Sequence, residues 1–287
     1  MMIDGVILLW FVLTGLSLAF IVTDIRTTPA SPVLKWGFIL LVAYTGVFGL
    51  VLYMLGCREP MRNTHERFVK ERWRQVLGST MHCAPGDGLG ILVGAVIASV
   101  IALEGPVEIG PEYLLGFGFG WAIFQALFMR DMAGGSFARS LRITFVPELV
   151  SMNVLMAAMV PVMMGLRPLI AADAGAATPA FWFVMSMALL AGFVAAFPMN
   201  WWFVANNLKH GMITVRRADP AVPDPSHAPK SHGAANAQSG ADDLMADGMA
   251  HPAKAVVPSV PVMVALSFAI LAVGLLVAGL SIPELQK

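Results

Sequence analysis

Residues Pro179–Val204 read PAFWFVMSMALLAGFVAAFPMNWWFV, 26 positions without one Asp, Glu, Lys or Arg. The hydrocarbon core of a bilayer is about 30 Å thick and takes about 20 apolar residues of α-helix to cross. Lipid offers no hydrogen bonds to the backbone, so a run of this length is helical if it spans. One such run would also fit the core of a large soluble protein, so the rest of the chain decides. Six further runs are mainly apolar and qualify as spans or nearly so: Val6–Val22, Val33–Leu55, Leu89–Leu103, Glu112–Met129, Phe145–Met164 and Val256–Ile282. Together they predict an all-α, polytopic transmembrane bundle of about seven spans.

Composition agrees. The chain has 287 residues, 57% hydrophobic and 13% charged, against about 25% charged in soluble domains. No run of about ten residues alternates apolar with polar, which excludes an outer-membrane barrel pattern. The formal net charge is zero, which gives no basic surface for nucleic acid. Two cysteines, Cys57 and Cys83, are too few for a disulfide framework. The start, Met1 to Gly5, lacks the basic stretch of a cleaved secretory signal, so the first run reads as a retained anchor.

Cations set the expected orientation. If all seven runs cross, 14 of the 18 Lys and Arg residues fall on one side and four (Arg26, Lys35, Arg167 and Lys287) on the other. The positive-inside rule then predicts a multi-pass protein of the inner (plasma) membrane with a cytoplasmic N-terminus. The expected layout is two N-terminal helices in 1–56, a basic amphipathic segment in 57–78, a four-helix core in 79–215, a linker in 216–255 and a last helix in 256–287. In the basic segment, Asn63 and Glu66 have capping-box spacing, and Val69, Trp73, Val76 and Leu77 share a face suited to the inner leaflet. The linker is rich in Ala, Pro, Gly, Asp and Ser and lacks aromatic residues. That composition predicts disorder.

Two features carry candidate chemistry. Thr80-Met81-His82-Cys83-Ala84-Pro85-Gly86-Asp87 stands at the entrance of the third run. His82 and Cys83 are ligands for soft or borderline metals. Pro85 suits a first helical turn, which would put Cys83 at a helix N-terminus that favours thiolate. Asp87 is an ionisable group at membrane depth, a functional candidate by default. Gly86, Gly90 and Gly94 follow at intervals of four, a stripe that admits a close neighbour: another helix, a second copy or another subunit. The fifth run aligns Glu148, Met152, Met156, Met159 and Met163 on one helical face. A thioether column of this kind suits copper(I), though Met also serves as plain packing. His210, past the sixth run, is a further candidate ligand. No phosphate-binding loop, zincin helix or Cys-x-x-Cys is present, and no residue set is assigned a catalytic role.

The run Met81-His82-Cys83 with Gly86-Asp87 resembles a prokaryotic membrane-protein family, domain of unknown function 4396. Phe197-Pro198-Met199-Asn200-Trp201 and Lys209-His210-Gly211 resemble that family's closing motif. The resemblance covers about residues 76–215. It implies a membrane fold, marks His82, Cys83, Asp87 and His210 as matching positions, and implies no particular activity. The residues themselves point to binding and transport or delivery of a soft transition metal, copper(I) first. The alternatives are a structural or assembly subunit of a membrane complex and a thiol-dependent membrane enzyme.

Overall fold

The computed structural model describes residues 2–61, 64–103, 105–130, 135–170, 175–212 and 258–280. The described helices belong to one compact unit. They are α1 (Met2–Asp24), α2 (Pro32–Thr45), α3 (Val47–Gly56), α4 (His65–Phe68), α5 (Arg72–Val100), α6 (Ile109–Gly118), α7 (Ala126–Met129), α8 (Phe137–Ile170), α9 (Pro179–Ala205) and α10 (Val260–Leu280). A π-helical stretch, Phe119–Gln125, joins α6 to α7, so Ile109–Met129 runs as one span. Among the described residues, six helical segments are long and apolar enough to cross a membrane: α1, α5, Ile109–Met129, α8, α9 and α10. The chain is an all-helical membrane bundle, and apolar residues such as Leu8, Leu16 and Leu276 face outward on it as lipid-facing side chains do.

The seventh expected run, Val33–Leu55, folds differently. It is divided by Gly46, whose φ of 59° lies in the left-handed region. The chain doubles back there: a Cβ at Gly49 would lie 2.9 Å from the Cα of Val42. The far end of α3 returns to where α2 began. Tyr53 packs edge-on against Phe38 at 5.6 Å and its hydroxyl donates to Asp24 Oδ2 at 2.7 Å. Arg58 pairs with the same carboxylate at 2.9 Å. The tip at Gly46 abuts Thr14 and Trp10, near the middle of α1. At 1.5 Å per residue, α2 and α3 are only about 21 and 15 Å long. They form a hairpin that enters half-way and leaves on the side it came from.

Capping residues fix where helices start. Ser31 and Thr178 each precede a proline at N1 and accept from the backbone N–H three residues on. Prolines inside helices leave orphaned carbonyls, and neighbouring glycines cover two of them. Pro85 frees the carbonyl of Met81, against which Gly37 of α2 sits: a Cβ at Gly37 would lie 2.6 Å from that oxygen. Pro161 frees the carbonyl of Ala157, and Gly274 of α10 rests on it. A side chain at either glycine would push the helices apart.

Two local expectations change, and a third falls outside the described residues. Helix α5 starts at Arg72, so Pro85 and Cys83 lie inside it and not at its N-terminus. The turn α4 is capped by the Glu59 carboxylate, which accepts from Thr64 N at 2.8 Å and His65 N at 3.1 Å; Asn63 lies outside the described residues. Val69, Val76 and Leu77 are buried in the bundle, with Leu77 against Gly56. The apolar face of segment 57–78 is therefore used by its own protein. The linker expected at 216–255 lies outside the described residues.

Candidate functional site

Where α5, α8, α9 and the π-helical stretch converge, the bundle holds a cluster of buried polar side chains. Cys83, Asp87, Glu148, Ser151 and Asn200 are each 0% exposed and Lys209 is 6% exposed. Local sequence puts Lys209 there. Helix α9 ends in a Schellman motif: Asn207 takes φ 55°, Leu208 N donates to Phe203 O, and Asn207 N to Val204 O. The reversal sends the next residue back toward the bundle. Gln75 Nε2 ties the returning strand down by donating to Met212 O at 3.1 Å.

The Lys209 ammonium is the hub. Nζ lies 3.0 Å from Asn200 Oδ1, 3.5 Å from Cys83 Sγ and 3.7 Å from Glu148 Oε2. Cys83 Sγ also meets Ser151 Oγ at 3.5 Å. Burial works to strip the Lys209 proton. The Cys83, Glu148 and Asp87 side chains around it more than offset that and hold the ammonium above its ordinary range.

The two carboxylates meet at Gly120, in the π-helical stretch. A Cβ there would collide with Asp87 Oδ1 and lie 2.6 Å from Glu148 Oε1. Only glycine leaves them room, and π-helical turns recur at functional sites. None of the four carboxylate oxygens has a hydrogen-bond partner among the described residues. Two acids and one ammonium leave one negative charge in excess. A proton or one further cation balances it, since an unpaired charge out of water costs several kcal/mol.

The structure brings together Cys83, Asp87 and Glu148 of the expected ligands. Met152 lies one turn from Glu148, its Cε and the Asp87 carbonyl both packed against Gly116. Met156, Met159 and Met163 continue away from the cluster, each no more than 3% exposed. His210 lies beside Lys209, half-buried, its imidazole held below the ordinary value by burial. The side chain of His82 lies outside the described residues. Among those described, no three His, Cys, Asp or Glu side chains gather as a ready metal cage. The Lys209 ammonium stands between the Cys83 thiol and the Glu148 carboxylate.

The glycine stripe is consumed within the chain. Gly86 packs on Phe124 and Gly120, Gly90 on Leu115 and Gly116, Gly94 on Pro111 and Glu112. The neighbours of these three glycines are thus the chain's own α6 and π-helical stretch. The Cys83 thiol itself is wholly buried.

Sequence reasoning missed Lys209, Ser151 and Gly120. The signal for Lys209 was the Asn-Asn pair before it, since Asn adopts left-handed caps. Gly120 stood in an apolar run with nothing to mark it.

Comparison with known proteins agrees with the resemblance read from the motif. The family model described as domain of unknown function (DUF4396) matches residues 72–209. That region runs from the first residue of α5 to Lys209 and contains every member of the buried cluster. No curated protein and no solved structure matches the chain.

Proposed function

We propose that this protein exchanges a monovalent soft cation, copper(I) foremost, for protons across a plasma membrane. The observation that supports it is the Lys209 ammonium, held out of water among Cys83, Asn200 and Glu148 with a second carboxylate beside them. Buried ionisable groups inside a membrane bundle are expensive and mark ion or proton paths. The cluster already binds a cation, its own lysine. An arriving ion competes for the same place.

The chemistry balances one for one. Copper(I) bonds to Cys83 Sγ as the S–H bond breaks, and the proton passes to the Asp87–Glu148 pair and leaves. Lys209 swings off the thiol and stays with Asn200 and Glu148. One positive charge enters and one departs, so the dry site keeps its charge. A divalent ion would leave one charge uncompensated. The soft donors Cys83 and Met152 favour copper(I) over sodium or potassium.

The test is anaerobic. Proteoliposomes carrying a trapped pH dye are given copper(I) buffered by a chelator. Proton movement should follow copper addition and fall at least tenfold in Cys83→Ser, Glu148→Gln and Asp87→Asn. A signal equal to that of empty liposomes, or one untouched by all three substitutions, sinks the reading.

The hairpin bears on orientation. With α2 and α3 on one side, Arg26, Lys35, Arg58, Arg67, Lys70, Arg72, Arg74, Arg130, Arg139, Arg142 and Lys209 all lie toward one end of the bundle, and Arg167 alone among the described residues lies toward the other. The positive-inside rule applied to these ends puts the buried cluster at the cytoplasmic end and the N-terminus outside. That reverses the orientation expected from seven crossings. An N-terminal tag on intact spheroplasts should be cleaved by added protease; protection until lysis would restore the cytoplasmic N-terminus.

A further inference from the structure

At the opposite end of the bundle, a second group of side chains encloses a cavity of about 20 Å³, room for one water-sized particle. Its polar and sulfur-bearing lining is Ser99 of α5, Glu108 and Glu112, Met163 and Arg167 of α8, and Met185 of α9. Glu112 is 2% exposed, and its Oε2 has no hydrogen-bond partner among the described residues. Arg167 does not serve it: Nη1 donates to both oxygens of Glu108, each at 2.6 Å. The Ser99 hydroxyl accepts from Ala176 N at 3.1 Å. Glu112 is thus a buried acid lining the cavity, with no cation hydrogen-bonded to its Oε2 among the described residues.

We propose that this cavity is a second cation site, built from the Glu112 carboxylate and the Met163 and Met185 thioethers. Two thioethers are neutral and soft, and one carboxylate supplies one negative charge. Such a set matches a monovalent soft ion and leaves a divalent one undercompensated. Calcium or magnesium would demand six or more oxygens, which this lining does not have. The arrangement repeats the logic of the Lys209 cluster: two acids, one base, and one charge unmet.

The two sites are joined. Met163 lines the cavity, Met152 packs on Gly116 beside the Asp87 carbonyl, and Met156 and Met159 are buried between them on α8. Eleven residues of helix separate Met152 from Met163, about 16 Å. Glu108 and Arg167 close the outer end. The Arg167 side chain is 35% exposed and that of Glu108 7%, so their ion pair stands between cavity and water as a gate.

The assignment rests on the cation-exchange reading, and one titration separates the two. Detergent-purified full-length protein is titrated anaerobically with copper(I) against a competing chelator. Two equivalents are expected. Glu112→Gln should abolish one, Cys83→Ser the other, and Met163→Leu/Met185→Leu should weaken the outer equivalent tenfold or more. That double variant preserves apolar bulk, so it reports on the site even if Glu112→Gln fails to fold. A single equivalent, lost in Cys83→Ser and unchanged in both outer-site variants, overturns the second site and leaves the inner reading standing. No binding above the detergent blank overturns both.

Discussion

Lys209→Met should be the most damaging single substitution in the bundle, lowering the melting temperature in detergent by on the order of 10 °C. Removing one partner of a buried ion pair costs about 3–5 kcal/mol, because it strands a charge out of water. At this chain length each kcal/mol moves the midpoint by about 2–4 °C. Methionine keeps the length and apolar stem of lysine, so little of the loss would be packing. The charge argument makes a second demand: Lys209→Met/Glu148→Gln should recover most of the loss. The second substitution removes the stranded acid while keeping its shape. A thermal-unfolding series on the four proteins forms a double-mutant cycle. If Lys209→Met melts within a degree or two of the parent, the ammonium does not hold the cluster together. If the double variant is no better than the single, the loss is steric and the charge account fails.

Lys209 also shows what the sequence could not reveal. Read along the chain, it is one of several cations after the last core span: it counted toward topology and stood in the Lys209-His210-Gly211 motif with no role of its own. Its role depends on residues more than 50 positions away: Cys83, Asp87 and Glu148. They meet it only because α9 ends at Asn207 in a left-handed turn. The features that were legible are those a single helix encodes. The Glu148–Met163 face follows from spacing within α8, and all five of its side chains are buried as the periodicity requires. Cys83 and Asp87 were legible as a pair one turn apart on α5. The Val33–Leu55 run misled for a physical reason. Hydropathy measures length and polarity, and a half-way hairpin of two short helices has the same length and polarity as one crossing. The difference lies in one residue, Gly46, whose backbone takes φ 59°. A run of apolar letters does not display that angle, yet it decides whether Arg26 and Lys35 share an end of the bundle with Arg72 and Arg74.

Gly90→Ala and Gly118→Ala, one methyl group each on two helices in contact, should move stability in opposite directions. A Cβ at Gly90 would strike the Leu115 carbonyl oxygen and lie 2.5 Å from its carbon and 2.8 Å from Gly116 Cα. All three atoms are backbone, so no rotamer change relieves the clash. α5 and α6 must separate, and overpacking of this kind costs about 1–3 kcal/mol. The damage should extend to chemistry. Asp87 and Gly120 meet across the same helix pair, so parting the helices loosens the carboxylate pair and should lower copper-driven proton movement several-fold. A Cβ at Gly118 meets nothing within 4 Å. There alanine should stabilise by about 0.5–1 kcal/mol, because glycine is the costlier residue inside a helix. Paired melting curves in one detergent decide the matter. If Gly90→Ala raises the midpoint as Gly118→Ala does, α5 and α6 are not in backbone contact, and the glycine stripe is free to meet another chain. If it lowers the midpoint by several degrees while Gly118→Ala raises it, the stripe is spent inside the protein, holding the two acids against Gly120.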